Sequence, residues 1–365
     1  MGCWIRAIAL VGGLMGLLGS QTALATPDPA KLQLKSGSAL VMDVNTGKTL
    51  YQKNPTRVRP IASLTKLMTA LVVLDARQNL NQTLTIDQND RDNIKHTYSR
   101  VRMGTQVSRR DALHLALMSS ENRMASALAR HYPGGRQAFI RAMNNKARQL
   151  GMRNTRYYDS TGLSTRNVST AQDLAKLLSA AYRQPLIREF TQDTSREMRF
   201  HKPAYSLMFN NTNPLVKNPD WDVRLSKTGY TDEAGRCLLM RAKPDRQELA
   251  IVLLNSVGKR TPVGDANRIR KWLKSCFSPR RHERMPRHPF LLPAKRHSRP
   301  PEAASPAQHR CAWFGHPGRH RHGHGMRQQP ARQDTSRVVT RGHVQQGGTV
   351  PHGSVREKDT RETTP

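Results

Sequence analysis

The chain has 365 residues, 60 of them Lys or Arg against 26 Asp or Glu, for a formal net charge of +34. Such a charge points first to nucleic acid, but there is no helix-turn-helix signature, no aromatic stacking platform and no zinc-finger spacing. No segment beyond the N-terminus is long and apolar enough to span a bilayer.

Residues 1 to 25 carry Arg6, an apolar run and a closing Ala23-Leu24-Ala25, the three-part pattern of a secretory signal peptide. Export to the periplasm as a soluble protein is therefore expected. A basic exported protein suits anionic cell-wall polymer or membrane lipid better than nucleic acid, and leaves room for peripheral contact with membrane or wall-synthesis enzymes.

The run SALVMDVNTGKTLYQK predicts two short strands within 38–53, joined at Asn45-Thr46-Gly47. After Pro60, SLTKLMTALVVLD is apolar on every side, the mark of a helix buried all round. Ser63 and Lys66 stand three positions apart at its start and so share a face. Burial disfavours an ammonium group and lowers its pKa, leaving an uncharged amine able to take a serine proton. A second such pair, Ser256 and Lys259, follows a strand and reads as a solvated polar loop.

The middle of the chain, about 61–200, reads as helical. Ser108 and Asp111 open one helix at capping-box spacing, and Thr170 and Asp173 open another. Ser120-Glu121-Asn122 lies between two apolar-periodic helices, where the plain reading of Ser120 is an N-cap. His96, His114, His131 and His201 are scattered without ligand spacing, so neither metal nor cofactor is expected.

Three further strands are predicted within 223–256, and a closing amphipathic helix at 264–277 sets Ile269, Trp272 and Leu273 on one face. Lys227-Thr228-Gly229 ends the first of these strands. Its lysine and hydroxyl suit an anionic carboxylate, and the bare glycine lets a ligand lie against the strand edge. Of four cysteines, Cys3 falls in the leader and Cys311 near the end. Cys237 and Cys276 remain, and export would permit a bridge. Cys237 lies in the apolar run RCLLMRA, where a lone thiol is expected to be a small core residue.

Composition changes at 278. From there to 365 the chain has 17 Lys or Arg against 6 Asp or Glu, and 10 of the 14 His, with no periodic apolar runs. A disordered tail is expected, with at most loose metal affinity in HPGRHRHGHG. The abrupt join is what a reading-frame shift would produce, and an intact mass of the native protein would test it. The body, 26–277, is large enough for one domain or two subdomains. With strands at both ends and helices between, it predicts an α+β fold whose terminal segments pair into one antiparallel sheet.

Taken together and in this order, Ser63-x-x-Lys66, Ser120-x-Asn122 and Lys227-Thr228-Gly229 resemble the signature of the penicillin-recognising serine enzymes. The likeness extends over roughly 35–277, through RVRPIASLTKLMTALVVLDA, MSSENRMASALARHYPGG and LSKTGYTDEAGRCLLMRA. It is similar to the D-alanyl-D-alanine endopeptidase branch of the low-molecular-mass penicillin-binding proteins. That resemblance implies a β-lactamase/transpeptidase-like α/β sandwich, a five-stranded antiparallel sheet flanked by helices with a large helical insert. It implies Ser63 as the acylated nucleophile, Lys66 as its base and Ser120 as a proton relay. Asn122 would hold the substrate amide, Lys227 and Thr228 a carboxylate, and the backbone N–H groups of Ser63 and Tyr230 the oxyanion.

The implied substrate is a cross-linked peptidoglycan peptide cleaved at its D-alanyl carbonyl, with β-lactams as acylating inhibitors. The rivals are a D-alanyl-D-alanine carboxypeptidase, a serine β-lactamase and a non-catalytic wall-binding protein. Carboxypeptidases of the group usually have a small residue where this chain has Glu121, and add a second domain and an anchoring helix. A class A β-lactamase would need a Glu-x-x-Leu-Asn run, which is missing.

Overall fold

The computed structural model describes residues 28–277. The proposed leader and the basic segment from 278 lie outside the described residues. In chain order, β1 (Ser36–Asp43), β2 (Thr49–Lys53) and the two-residue β3 (Arg59–Pro60) lead into α1 (Thr65–Asp75). The short strands β4 (Thr83–Thr85) and β5 (Gln106–Ser108) precede α2 (Arg109–Met118), α3 (Asn122–Arg130) and α4 (Gly135–Gln149). Then come β6 (Val168–Ser169), α5 (Ala171–Tyr182), α6 (Pro185–Gln192), and the paired β7 (Ser195–His201) and β8 (Ala204–Asn210). The chain closes with β9 (Val223–Thr231), β10 (Gly235–Ala242), β11 (Leu249–Ser256) and α7 (Thr261–Phe277).

The main sheet has five antiparallel strands in the order β2-β1-β11-β10-β9, so both ends of the folded body meet at its centre. Its middle strands are buried on both faces. Along β11, Leu249, Ile251 and Leu253 join a core with Trp221, Ile269, Trp272 and Leu273. The alternate residues Ala250, Val252 and Leu254 join the larger core shared with the helices. Alternation of this kind is the period-2 geometry of a strand. Helix α7 covers one face, while α5 covers the other and carries the helical lobe with it. This is the expected α+β sandwich.

Local chemistry sets the element starts. The Ser108 and Thr170 side chains accept from the N–H groups of Asp111 and Asp173, capping α2 and α5. Asp43 accepts from Thr46 N at 2.8 Å and Gly47 takes φ 70°, which turns β1 into β2. The middle segment, expected to be helical over about 61–200, also holds the short strands β4, β5 and β6, and a two-stranded hairpin, β7 and β8, begins at its end and occupies 195–210. Its alternation of exposed and buried residues is sparse, with Met198, Phe200 and Phe209 alone buried.

The second Ser-x-x-Lys departs from its reading as solvated loop. Ser256 is the last residue of β11, buried, and 2.7 Å from Ser36 Oγ. Lys259 is exposed, as expected. Cys237 is a buried free thiol whose pKa burial raises to about 11.

Candidate active site

Helix α1 begins in a 3-10 turn, Ala62–Leu64, that presents Ser63 at the seam between sheet and helical lobe. Ala62 sits at φ 46°, a left-handed conformation costly for alanine. Two glycines close on this turn. A Cβ on Gly162 would fall 2.0 Å from Ala62 O, and one on Gly229 would fall 2.9 Å from Ser63 N. Only bare backbone fits on either side of the Ser63 peptide.

Lys66 is fully buried in the first turn of α1. Its Nζ lies 2.9 Å from Ser63 Oγ, 2.7 Å from Asn122 Oδ1 and 2.7 Å from Thr161 O. Asn122 and Thr161 can only accept here, so a neutral amine would spend both hydrogens on them and turn its lone pair toward Ser63. Burial lowers the Lys66 pKa to about 8, against an opposing pull from the Asp159, Glu121 and Asp92 charges. The expectation of an uncharged amine is thus met only in part, because a group with that pKa is mostly protonated at pH 7.

Ser120 is not the cap of α3. Glu121 takes that role, its side chain accepting from Met124 N at 3.0 Å and pairing with Ser99 Oγ. Ser120 is left at φ 63° on the cleft wall, with no hydrogen bond among the described residues. Asn122, the first residue of α3, uses Oδ1 for Lys66 and donates Nδ2 to Thr97 Oγ1 at 3.1 Å. One lone pair and one N–H of that amide remain for a ligand.

The opposite wall is β9, the free edge of the sheet. Sheet register places Lys227 in a row with Leu239, Val252 and Leu40, all three in the core shared with the helical lobe. Lys227 inherits that inward face and is 1 % exposed. Its Nζ donates only to Thr228 O at 3.0 Å, and it makes no ion pair among the described residues. Burial, then repulsion from Lys66, holds its pKa well below the usual lysine value. Two buried amines that make no ion pair among the described residues make a receptive place for an anion. Thr228 Oγ1 donates to Thr212 Oγ1 at 2.6 Å.

Between the walls runs a cleft of about 660 Å³ lined by Ser63, Ser120, Asn122, Thr228, Gly229 and Tyr230, with the cations Arg236, Lys259 and Arg260 also in its lining. All the residues singled out in the sequence therefore converge, with Lys66 and Lys227 directly behind the surface. Several were missed. Asp159 accepts from Thr161 N, Thr161 Oγ1, Gly162 N and Ser164 N at 2.5 to 2.7 Å, and so fixes the loop whose Thr161 carbonyl receives Lys66. The Asp-Ser-Thr-Gly run carried that signal, since an Asp followed by a glycine is a turn former. Thr97, Thr212 and Arg260 had no signal of their own. Among the described residues no group of His, Cys, Asp or Glu could hold a metal ion, and no helix is long and apolar enough to cross a membrane.

A lysine-coupled serine at the seam of a five-stranded antiparallel sheet and a helical lobe defines the class of penicillin-recognising serine peptidases. Within that class, a family model described as D-alanyl-D-alanine carboxypeptidase, peptidase family S11, matches residues 22–258, and the chain belongs to that family. It is 48% identical over 275 residues to the D-alanyl-D-alanine endopeptidase of Pseudomonas aeruginosa, covering 74% of this chain and 89% of that one. It is 49% identical over 256 residues to the endopeptidase of Escherichia coli K12, covering 70% and 82%. The Bacillus subtilis D-alanyl-D-alanine carboxypeptidase DacF is 30% identical over 286 residues, covering 74% and 70%. Among solved structures, the Streptomyces K15 DD-transpeptidase superposes with a TM-score of 0.62 at 27% identity, covering 67% of this chain and 98% of that one. The chain is a serine-type D-alanyl-D-alanine peptidase, and its family acts on peptidoglycan and binds β-lactams.

Proposed function

We propose that this protein is a D-alanyl-D-alanine endopeptidase that opens peptide cross-links of peptidoglycan in the periplasm. The observation that carries the chemistry is the 2.9 Å contact between Lys66 Nζ and Ser63 Oγ in a buried setting. Neutral Lys66 takes the Ser63 proton as Oγ bonds to the D-alanyl carbonyl carbon. The oxyanion is held by the backbone N–H groups of Ser63 and Tyr230. As the C–N bond breaks, the leaving amine gains a proton by way of Ser120. Water then adds to the ester, Ser63 recovers its proton, and the released strand ends in a carboxylate.

Asn122 holds the substrate amide with its unused N–H, while Lys227 and Thr228 hold a substrate carboxylate. The cations Arg236, Lys259 and Arg260 in the cleft lining suit a peptide rich in carboxylates. Preference for cross-links over terminal D-alanine rests on the endopeptidases at 48% and 49% identity, against 30% for the carboxypeptidase DacF. The family description keeps carboxypeptidase as the second reading.

Purified cross-linked muropeptide dimers and uncross-linked pentapeptides, offered separately, decide between them. Rapid cleavage of dimers, abolished by Ser63→Ala, is expected. Trimming of pentapeptides with dimers left whole would make the enzyme a carboxypeptidase. A penicillin should remain on Ser63 as a stable adduct by mass spectrometry, whereas rapid turnover would indicate a β-lactamase.

A further inference from the structure

One ion pair, Lys95 Nζ with Glu233 Oε1, joins the loop that carries the cleft-lining Thr97 to the turn that follows the cleft-lining Tyr230. Lys95 belongs to the loop between β4 and β5, on the helical side. That loop is held firmly: Asp92 accepts from Ile94 N, Lys95 N, Thr97 N and Thr97 Oγ1 at 2.7 to 3.0 Å. Two residues on, Thr97 lines the cleft and receives Asn122. Glu233 sits in the turn between β9 and β10, just past Tyr230, on the sheet side. No other hydrogen bond or ion pair among the described residues links this loop to β9 or its turn.

We infer that the Lys95–Glu233 pair is a clasp over the acyl end of the cleft and selects ligands by the bulk of their acyl side. This rests on the reading of the cleft just given, in which Lys227 and Thr228 take the carboxylate end of a ligand. The acyl side then runs along β9 past Tyr230 toward the turn, beneath the clasp. A slim single peptide passes under it. A strand branched on its acyl side must part the pair, and a half-exposed ion pair is weak enough to be parted at modest cost.

The test compares acylation of Ser63 by two penicillins, one with a small acyl group and one carrying a bulky fluorophore there. In both Lys95→Ala and Glu233→Ala, the bulky-to-small rate ratio should rise about threefold, the order of effect an exposed ion pair supports. The small penicillin should react within about twofold of wild type. Exchanging the charges, Lys95→Glu with Glu233→Lys, should return the ratio to the wild-type value, which simple loosening of the loop would not do. A ratio unchanged or lowered in either single variant overturns the clasp, as does a charge exchange that fails to restore it. The same variants on muropeptide dimers separate the two readings. Dimers left whole by every variant, with the penicillin ratios as expected, would sink the endopeptidase assignment and leave the clasp standing.

Discussion

Lys66 is where burial and chemistry meet. Its amine works only when neutral, so activity is gained as pH rises through its pKa of about 8. About a tenth of the amine is neutral at pH 7 and about nine tenths at pH 9, so penicillin acylation should rise about tenfold between them. Stopped-flow acylation against pH measures this, and a flat profile would remove Lys66 as base. Asp159 pulls the pKa up by its charge. Asp159→Asn keeps an acceptor oxygen for the loop and should therefore move the midpoint below 8, a shift that a merely structural role would not give.

At the scale of elements, the turn carrying Ser63 exists because its neighbours are bare. Gly162→Ala would set a methyl group 2.0 Å from Ala62 O at a φ of 89°. Relief requires moving either the 159–164 loop or the nucleophile's turn. The variant should lose about 3 kcal/mol of stability by thermal melting, together with most of its acylation rate. The glycine in Lys227-Thr228-Gly229 was legible in the sequence because it belongs to a short motif, and Gly162 was not, because its need arises from an element a hundred residues away. The same division holds elsewhere. Strands with alternating burial, and helices capped by Ser108 and Thr170, announce themselves locally. The α3 cap did not: Glu121 displaced the better cap former Ser120, which the backbone turns instead into the cleft at φ 63°. The hairpin of β7 and β8 was hidden for a related reason, since most of its side chains are exposed and write no strong apolar pattern.

For the molecule as a whole, the joint between β1, β11 and α7 deserves a test because it ties the sheet to its covering helix. Asp265, fully buried, accepts from Ser36 N at 2.8 Å, Ser36 Oγ at 2.6 Å, Lys35 N at 3.1 Å and Arg268 Nη1 at 2.7 Å. Asp265→Ala orphans these donors and should cost about 3 kcal/mol in denaturant melts. The acylation rate at 25 °C should stay at the wild-type value, since the joint lies on the side of the sheet away from α1. Loss of acylation without loss of stability would show the joint to be part of the chemistry.

The strand order has a temporal meaning too. Because Ser36 is paired with Ser256, the first strand of the sheet waits for β11, the last strand to be synthesised among the described residues. The β9–β10–β11 meander pairs neighbours in sequence, whereas the β1–β11 pairing that completes the sheet spans more than two hundred positions, and the seam of β9 with the Ser63 turn is itself a long-range contact. A chain truncated before β11 should therefore escape labelling by a penicillin, whereas one that runs past Ser256 into α7 should be labelled.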